Sequence, residues 1–209
     1  MTAYYSYAPR LGHALPHDPV SAIVAPRPIG WFSTVSTNGV RNLAPYSFFG
    51  LFNYSPPIVA FSSVGRKDTV INAETTRELV WNLATEEFGA QMNASSAAVP
   101  AEVDEFDLVG LDAVASDLVA PPRIAGVPVS FECRVTDVFR MRTADGADLD
   151  TWMVIAEVVR VHIDVTYLRD GRFDTAEAGP LLRAGGPGDY FLPTRDRSAF
   201  MLRPRPLTR

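Results

Sequence analysis

One cysteine, one lysine and three histidines are all that 209 residues provide of these types. A lone Cys133 excludes an internal disulfide or a redox pair within one chain, and it fits a reducing compartment. His13, His17 and His162 with that single cysteine give no zinc-ligand spacing, so no metal site is expected. No run of residues approaches the ~20 apolar positions of a membrane-spanning helix. The opening MTAYYSYAPRLGHALPHDP lacks an apolar signal core, so the expectation is a soluble, cytoplasmic protein with no membrane partner. Positive charge does not dominate either. Lys and Arg number 19 against 24 Asp and Glu, a net charge of −5, which argues against nucleic acid as the main partner. GxGxxG and GxSxG are both missing. The glycine-rich RAGGPGDY does not lead a strand into a helix, so a Rossmann domain is not expected, and Ser-based hydrolysis is unsupported.

What is present is enough for a core, with 47% hydrophobic and 21% charged residues. Residues 1–19, broken by Pro9, Pro16 and Pro19, read as an arm. From Ser21 the chain reads mostly as strands. SAIVA is short and β-branched, and IGWFSTVST alternates apolar and small polar residues. Asn38-Gly39 then signals a hairpin, because both residues tolerate positive φ. VRNLAPYSFFGLF resumes the sheet, and Pro45 marks an edge or irregular position. PPIVAFSSV is another strand. At GRKDTVINAETTREL the period changes to helical. Asp68 and Thr69 are candidate caps for about two turns that run to Arg77. LVWNLAT is strand, EEFGAQMNASSA helix, and AEVDEFDLVGLD a short helix and turn. SFECRVTDVFRMR and TWMVIAEVVRVHI pair as a hairpin through TADGADLD, and residues 180–209 read as loops or tail. Many strands with few, short helices imply a mainly β, antiparallel fold, read as one domain over residues 1–209.

Two segments carry chemistry. In SSVGRKDTVINAETT, the residues Ser62, Ser63, Arg66, Lys67 and Thr69 crowd a strand end and a helix start. Hydroxyls, cations and free N–H groups there suit a phosphate monoester, with Asp68 capping the helix or orienting a basic neighbour. The alternative is a capped surface turn with solvated charges. In STVSTNGVRNLAPYSFF, the polar Asn42, Tyr46 and Ser47 interrupt an apolar strand pair. A planar, partly polar ring could stack there, and the alternative is a hairpin with one wet face.

Taken together, PRPIGWFSTVSTNGVRNLAPYSFFGLFNYSPPIVAFSS and RKDTVINAETTRELVWNLAT resemble the flavin reductase-like family of FMN-binding split barrels. That family includes flavoredoxin and the reductase components of two-component monooxygenases. The likeness is strongest over residues 25–85 and continues more loosely through DEFDLVGL, VPVSFECRV and LLRAGGPGDY. It implies an antiparallel Greek-key split β-barrel and a homodimer with a flavin near each side of the interface. It implies FMN as cofactor and NAD(P)H as reductant, with a flavin-dependent monooxygenase as recipient. By the same resemblance, Thr34, Asn42, Leu43, Ala44, Pro45, Tyr46 and Ser47 line the isoalloxazine and ribityl chain. Ser62, Ser63, Arg66, Lys67, Asp68 and Thr69 hold the phosphate. His162 and the Arg183–Tyr190 loop are candidates to border the nicotinamide, although a strand-face histidine with a structural hydrogen bond is an equal reading of His162. Hydride transfer to a flavin needs little acid–base help, so no catalytic residue is named. Two rival readings remain: an electron-transfer flavoprotein with tightly held FMN, and a non-redox barrel that binds another phosphate-bearing ligand.

Overall fold

A computed structural model describes residues 2–204. In chain order its elements begin with α1 (Val20–Ile23), β1 (Arg27–Pro28), β2 (Gly30–Val35), β3 (Arg41–Tyr46), β4 (Phe49–Tyr54) and β5 (Pro57–Val64). Then come α2 (Asp68–Thr76), β6 (Glu78–Leu83), α3 (Gly89–Ala94), α4 (Glu105–Val109), β7 (Ala113–Val114) and β8 (Arg123–Ile124). The long β9 (Val129–Arg142) and β10 (Asp148–Ile163) follow. The short β11 (Leu168–Arg169), β12 (Arg172–Phe173), α5 (Thr175–Ala178), β13 (Leu182–Arg183) and β14 (Tyr190–Phe191) come last.

Seven strands form the main sheet in the order β3-β2-β6-β9-β10-β5-β4, and every neighbouring pair is antiparallel. The two turn dipeptides act as the sequence implies. Gly39 adopts φ +83° between β2 and β3, and Gly146 φ +89° between β9 and β10, a region open to residues without a Cβ. Register shifts along β9–β10 mark bulges, which bend and twist long strands and let the sheet curl. The result is the mainly β, antiparallel split barrel expected.

Curling encloses one core and leaves a second outside. Phe32, Val59, Phe61, Leu79, Trp81 and Val154 fill the inside, with Val70 and Ala73 of α2 packed among them. Ile29, Trp31, Leu43, Met92, Phe106 and Ile124 form the outer core beneath α3 and α4. Strand β2 belongs to both, which is why its five residues from Gly30 to Thr34 are all buried. Gly30 has no room for more, since a Cβ would lie 3.0 Å from Phe49 Cγ.

Local expectations need four corrections. SAIVA is not a strand: Ile23 N–H donates to Pro19 O (2.9 Å) and Val24 N–H to Val20 O (3.1 Å). No neighbouring strand supplies a ladder there, so local bonds win. VRNLAPYSFFGLF is two strands, broken at Ser47 and Phe48 so that β3 and β4 become opposite edges of the sheet. Asp68 and Thr69 do not cap α2. Lys67 is the N-cap, with no side-chain cap bond, and both residues lie in the first turn. The segment after residue 180 is not all loop, since β13 pairs with β1 and β14. Residues 205–209 of the expected tail lie outside the described residues.

Candidate functional site

A cavity of about 300 Å³ opens where the edge of β3 meets the start of α2. Its lining joins the two segments singled out in the sequence: Asn42, Ala44, Pro45 and Tyr46 from β3, and Lys67, Asp68 and Thr69 from α2. Strand β3 suits this place. It is an edge, and Pro45 has no N–H to leave unpaired there.

A buried polar web fixes the two walls together. Asn42 Nδ2 donates to Thr34 Oγ1 and to Thr69 Oγ1, each at 3.0 Å, and Asn72 Nδ2 donates to Thr34 Oγ1 at 3.1 Å. Thr34 therefore sits behind the wall as a fully buried acceptor and does not line the cavity. In the first turn of α2, Val70 and Ile71 N–H both go to Lys67 O. With no side-chain cap, the N–H groups of Asp68 and Thr69 are left for a ligand.

Tyr46 rests its ring on Phe61, with centroids 4.6 Å apart. Its hydroxyl is enclosed beside the Thr69 and Ser63 side chains, without well-formed hydrogen-bond geometry to either. Burial pushes the phenol above its usual pKa. An enclosed donor without a partner costs roughly 1–3 kcal/mol. Tyr46→Phe is therefore expected to raise the thermal midpoint or leave it unchanged. A fall in midpoint would mean that the hydroxyl bonds to the Thr69 or Ser63 side chain or to a trapped water.

Other expected residues are near the cavity without lining it. Leu43 turns its side chain into the outer core. Ser47 lines a second cavity of about 290 Å³ that shares Pro45 and Ser96 with the first and includes Arg183 and Tyr190. Arg183 and Tyr190 thus line a cavity that adjoins the candidate one. The Arg183 guanidinium lies over the Tyr190 ring at 5.0 Å. Arg27 ties the neighbourhood together: it donates to Ser47 O (3.2 Å) and Val24 O (2.6 Å) and reaches Ala184 O at 3.5 Å. Ser63 is buried and donates to Gly65 O (2.9 Å), while Ser62 is half-buried on β5 outside the cavity lining. Arg66 pairs with Glu74 and lies over Trp152 at 5.6 Å, so its charge is engaged elsewhere.

His162 is away from the cavity. Its Nε2 meets Glu132 Oε1 at 2.6 Å, and Glu132 also accepts the N–H groups of Asp117 (2.8 Å) and Leu118 (2.6 Å). Those bonds hold the buried Glu132 carboxylate below its usual pKa against the opposing effect of burial. The contact anchors a loop to the sheet, the structural reading of this histidine.

The third wall was not foreseen. It consists of Ser95, Ser96, Ala97, Ala98 and Val99, with Glu105 beside it. Trp31 of β2 places it, because its Nε1–H donates to Ser95 Oγ (3.0 Å), which in turn donates to Met92 O (2.8 Å). The small side chains let this backbone come close to any ligand.

Comparison with known proteins identifies the family. The family described as "Flavin reductase like domain" matches residues 24–177. An uncharacterized protein of Aquifex aeolicus is 35% identical over 173 residues, 80% of this chain and 85% of its own. Nitrilotriacetate monooxygenase component B from Bacillus cereus superposes with a TM-score of 0.85 at 25% identity, covering 97% of this chain and 100% of that one. The 2-nitrobenzoate 2-nitroreductase of Pseudomonas fluorescens gives 0.76 at 25% identity, with 88% of each chain covered. The chain belongs to the flavin reductase-like family, and its function class is that of a flavin-related oxidoreductase.

Proposed function

We propose that the chain binds FMN in the cavity between β3 and α2 and serves as an NAD(P)H-dependent flavin reductase. The observation that carries this reading is the convergence of Asn42–Tyr46, Lys67–Thr69 and the small-residue wall 95–99 on one cavity. The donor set fits the ligand. Lys67 and the free N–H groups of Asp68 and Thr69 suit a phosphate monoester at a helix start. The apolar faces of Ala44, Pro45 and Ala97 suit a flat ring. Alone the cavity is at the low end for a small-molecule site. The adjoining space with Arg183 and Tyr190 extends it, and is where the nicotinamide reductant would approach.

FMN, when bound, supplies the acceptor for the hydride of NAD(P)H, and the protein positions the two rings. Lys67 anchors the phosphate, Asn42 keeps Thr69 turned to the same end, and the 95–99 wall closes the site against water. We also propose a homodimer. The edge strand β4 leaves Leu51, Phe52 and Tyr54 exposed at 58%, 68% and 87%, and unpaired apolar edges favour pairing with another chain. A dimer mass in solution checks this. In the same reading the chain is one cytoplasmic domain that hands reduced flavin to a flavin-dependent monooxygenase. Among the described residues no helix is long and apolar enough to cross a membrane.

Steady-state oxidation of NADH and NADPH with added FMN, FAD or riboflavin tests the activity. Nucleotide consumption that depends on flavin is expected. Consumption of neither nucleotide with any flavin contradicts the reductase and leaves the electron-transfer reading.

A further inference from the structure

The cavity lining mixes charges. Lys67 and Asp68 come from the start of α2, and a glutamate lines the cavity from a different element. That residue, Glu105, opens α4. Asp104 caps this turn by accepting from Phe106 N–H (2.9 Å), and Arg41 grips Asp104 together with Asp107 (2.9 Å). Phe106 is fully buried, and the Arg41 guanidinium lies over its ring at 5.4 Å. The turn is therefore pinned against β3, and the direction of the Glu105 side chain is fixed. Its Oε2 accepts the Leu43 N–H at 2.9 Å, an outward-facing donor of the edge strand.

Glu105 is only 6% exposed. It lines both the flavin-candidate cavity and an adjoining one of about 280 Å³ that also touches Asn42 and Asp68. Beyond the Leu43 N–H, its carboxyl meets its own backbone N–H, and among the described residues no other residue donates to it. A carboxylate has about four acceptor sites, so two backbone N–H groups leave capacity that a ligand donor in the cavity can use. Burial raises its pKa, and the nearby carboxylates of Asp68 and Asp104 add to that shift.

We propose that Glu105 is a specificity-determining residue of this cavity, whose carboxylate selects a ligand that carries a hydrogen-bond donor apart from its anionic group. The proposal rests on the flavin reading. A flavin offers such donors in its imide N–H and its ribityl hydroxyls, parts that FMN and riboflavin share.

Glu105→Gln separates the roles of the two oxygens. The amide oxygen still accepts from Leu43 N–H, so β3 keeps its anchor, while the other position changes from acceptor to donor. FMN and riboflavin, titrated into wild type and variant by fluorescence quenching, should both weaken by about tenfold or more, as expected for losing a charge-assisted bond. The thermal midpoint should stay put. Lumiflavin, which lacks the ribityl chain, locates the donor. A similar loss points to the imide, and an unchanged affinity points to the ribityl hydroxyls. Equal affinities of wild type and variant for both FMN and riboflavin would overturn the proposal. So would a loss confined to FMN, which would place Glu105 at the phosphate end, or a loss that only follows a fall in midpoint. A wild type that binds no flavin sinks the flavin reading itself, an outcome visible without the variant.

Discussion

Lys67→Ala weakens FMN binding by about tenfold or more and leaves riboflavin binding nearly unchanged. Lys67 is the sole lysine of the chain, and it lines the cavity beside the uncapped start of α2. Arg66 cannot replace it without giving up its pair with Glu74. A phosphate at this place gains a charge-assisted hydrogen bond, worth roughly 1.5–3 kcal/mol when shielded from water. One decade of affinity is about 1.4 kcal/mol, so the loss should be plain in a titration. Riboflavin has no phosphate and should hardly respond. If FMN affinity is unchanged, or riboflavin suffers equally, the phosphate does not sit at Lys67. The contrast with Glu105→Gln, which should weaken both flavins, makes the two ends of the cavity separable.

Phe32→Ala should destabilise the fold more than any substitution in the cavity. Phe32 is fully buried on β2, stacked on Phe61 with centroids 4.3 Å apart and edge-on to Phe49 at 5.5 Å. Gly30 is small to make room for this cluster, so neighbouring chains cannot readily collapse into the space that alanine leaves. Such a truncation costs about 3–5 kcal/mol, a large share of the roughly 5–15 kcal/mol that holds a domain together. Chemical denaturation should show the midpoint falling at a similar slope. A loss below about 1 kcal/mol would mean that the cluster repacks. Val165, exposed and away from β4, is the control, since its truncation to alanine should leave the midpoint nearly unchanged.

The parts of this molecule legible in the sequence were those governed by neighbouring residues. Asn38-Gly39 and Asp145-Gly146 marked the two hairpins because positive φ is a local demand. NLAPY and KDT were legible as walls of a site because each carries its chemistry within a few residues. The 95–99 wall was not, because Trp31 places it through a bond to Ser95 across 64 positions. Glu105 was hidden likewise. Its DEF setting was part of the family likeness, but its bond to Leu43 spans 62 positions. Arg66 looked like a phosphate ligand beside Lys67, and it pairs with Glu74 of α2 outside the cavity lining, a partner that its local sequence does not reveal. SAIVA looked like a strand by composition, and only the lack of a partner strand turns it into a helical turn. Strand register depends on long-range pairing in the same way, as β3 and β4 show by parting at Ser47 to opposite edges of the sheet.

A titration of the flavin-free protein with FMN, followed by flavin fluorescence and absorption, decides whether the cavity between β3 and α2 is a flavin site. Saturable quenching at one FMN per chain is expected, with competition by riboflavin at lower affinity and a tenfold or greater loss in Lys67→Ala. No saturable binding, or binding that Lys67→Ala and Glu105→Gln both leave unchanged, would contradict it.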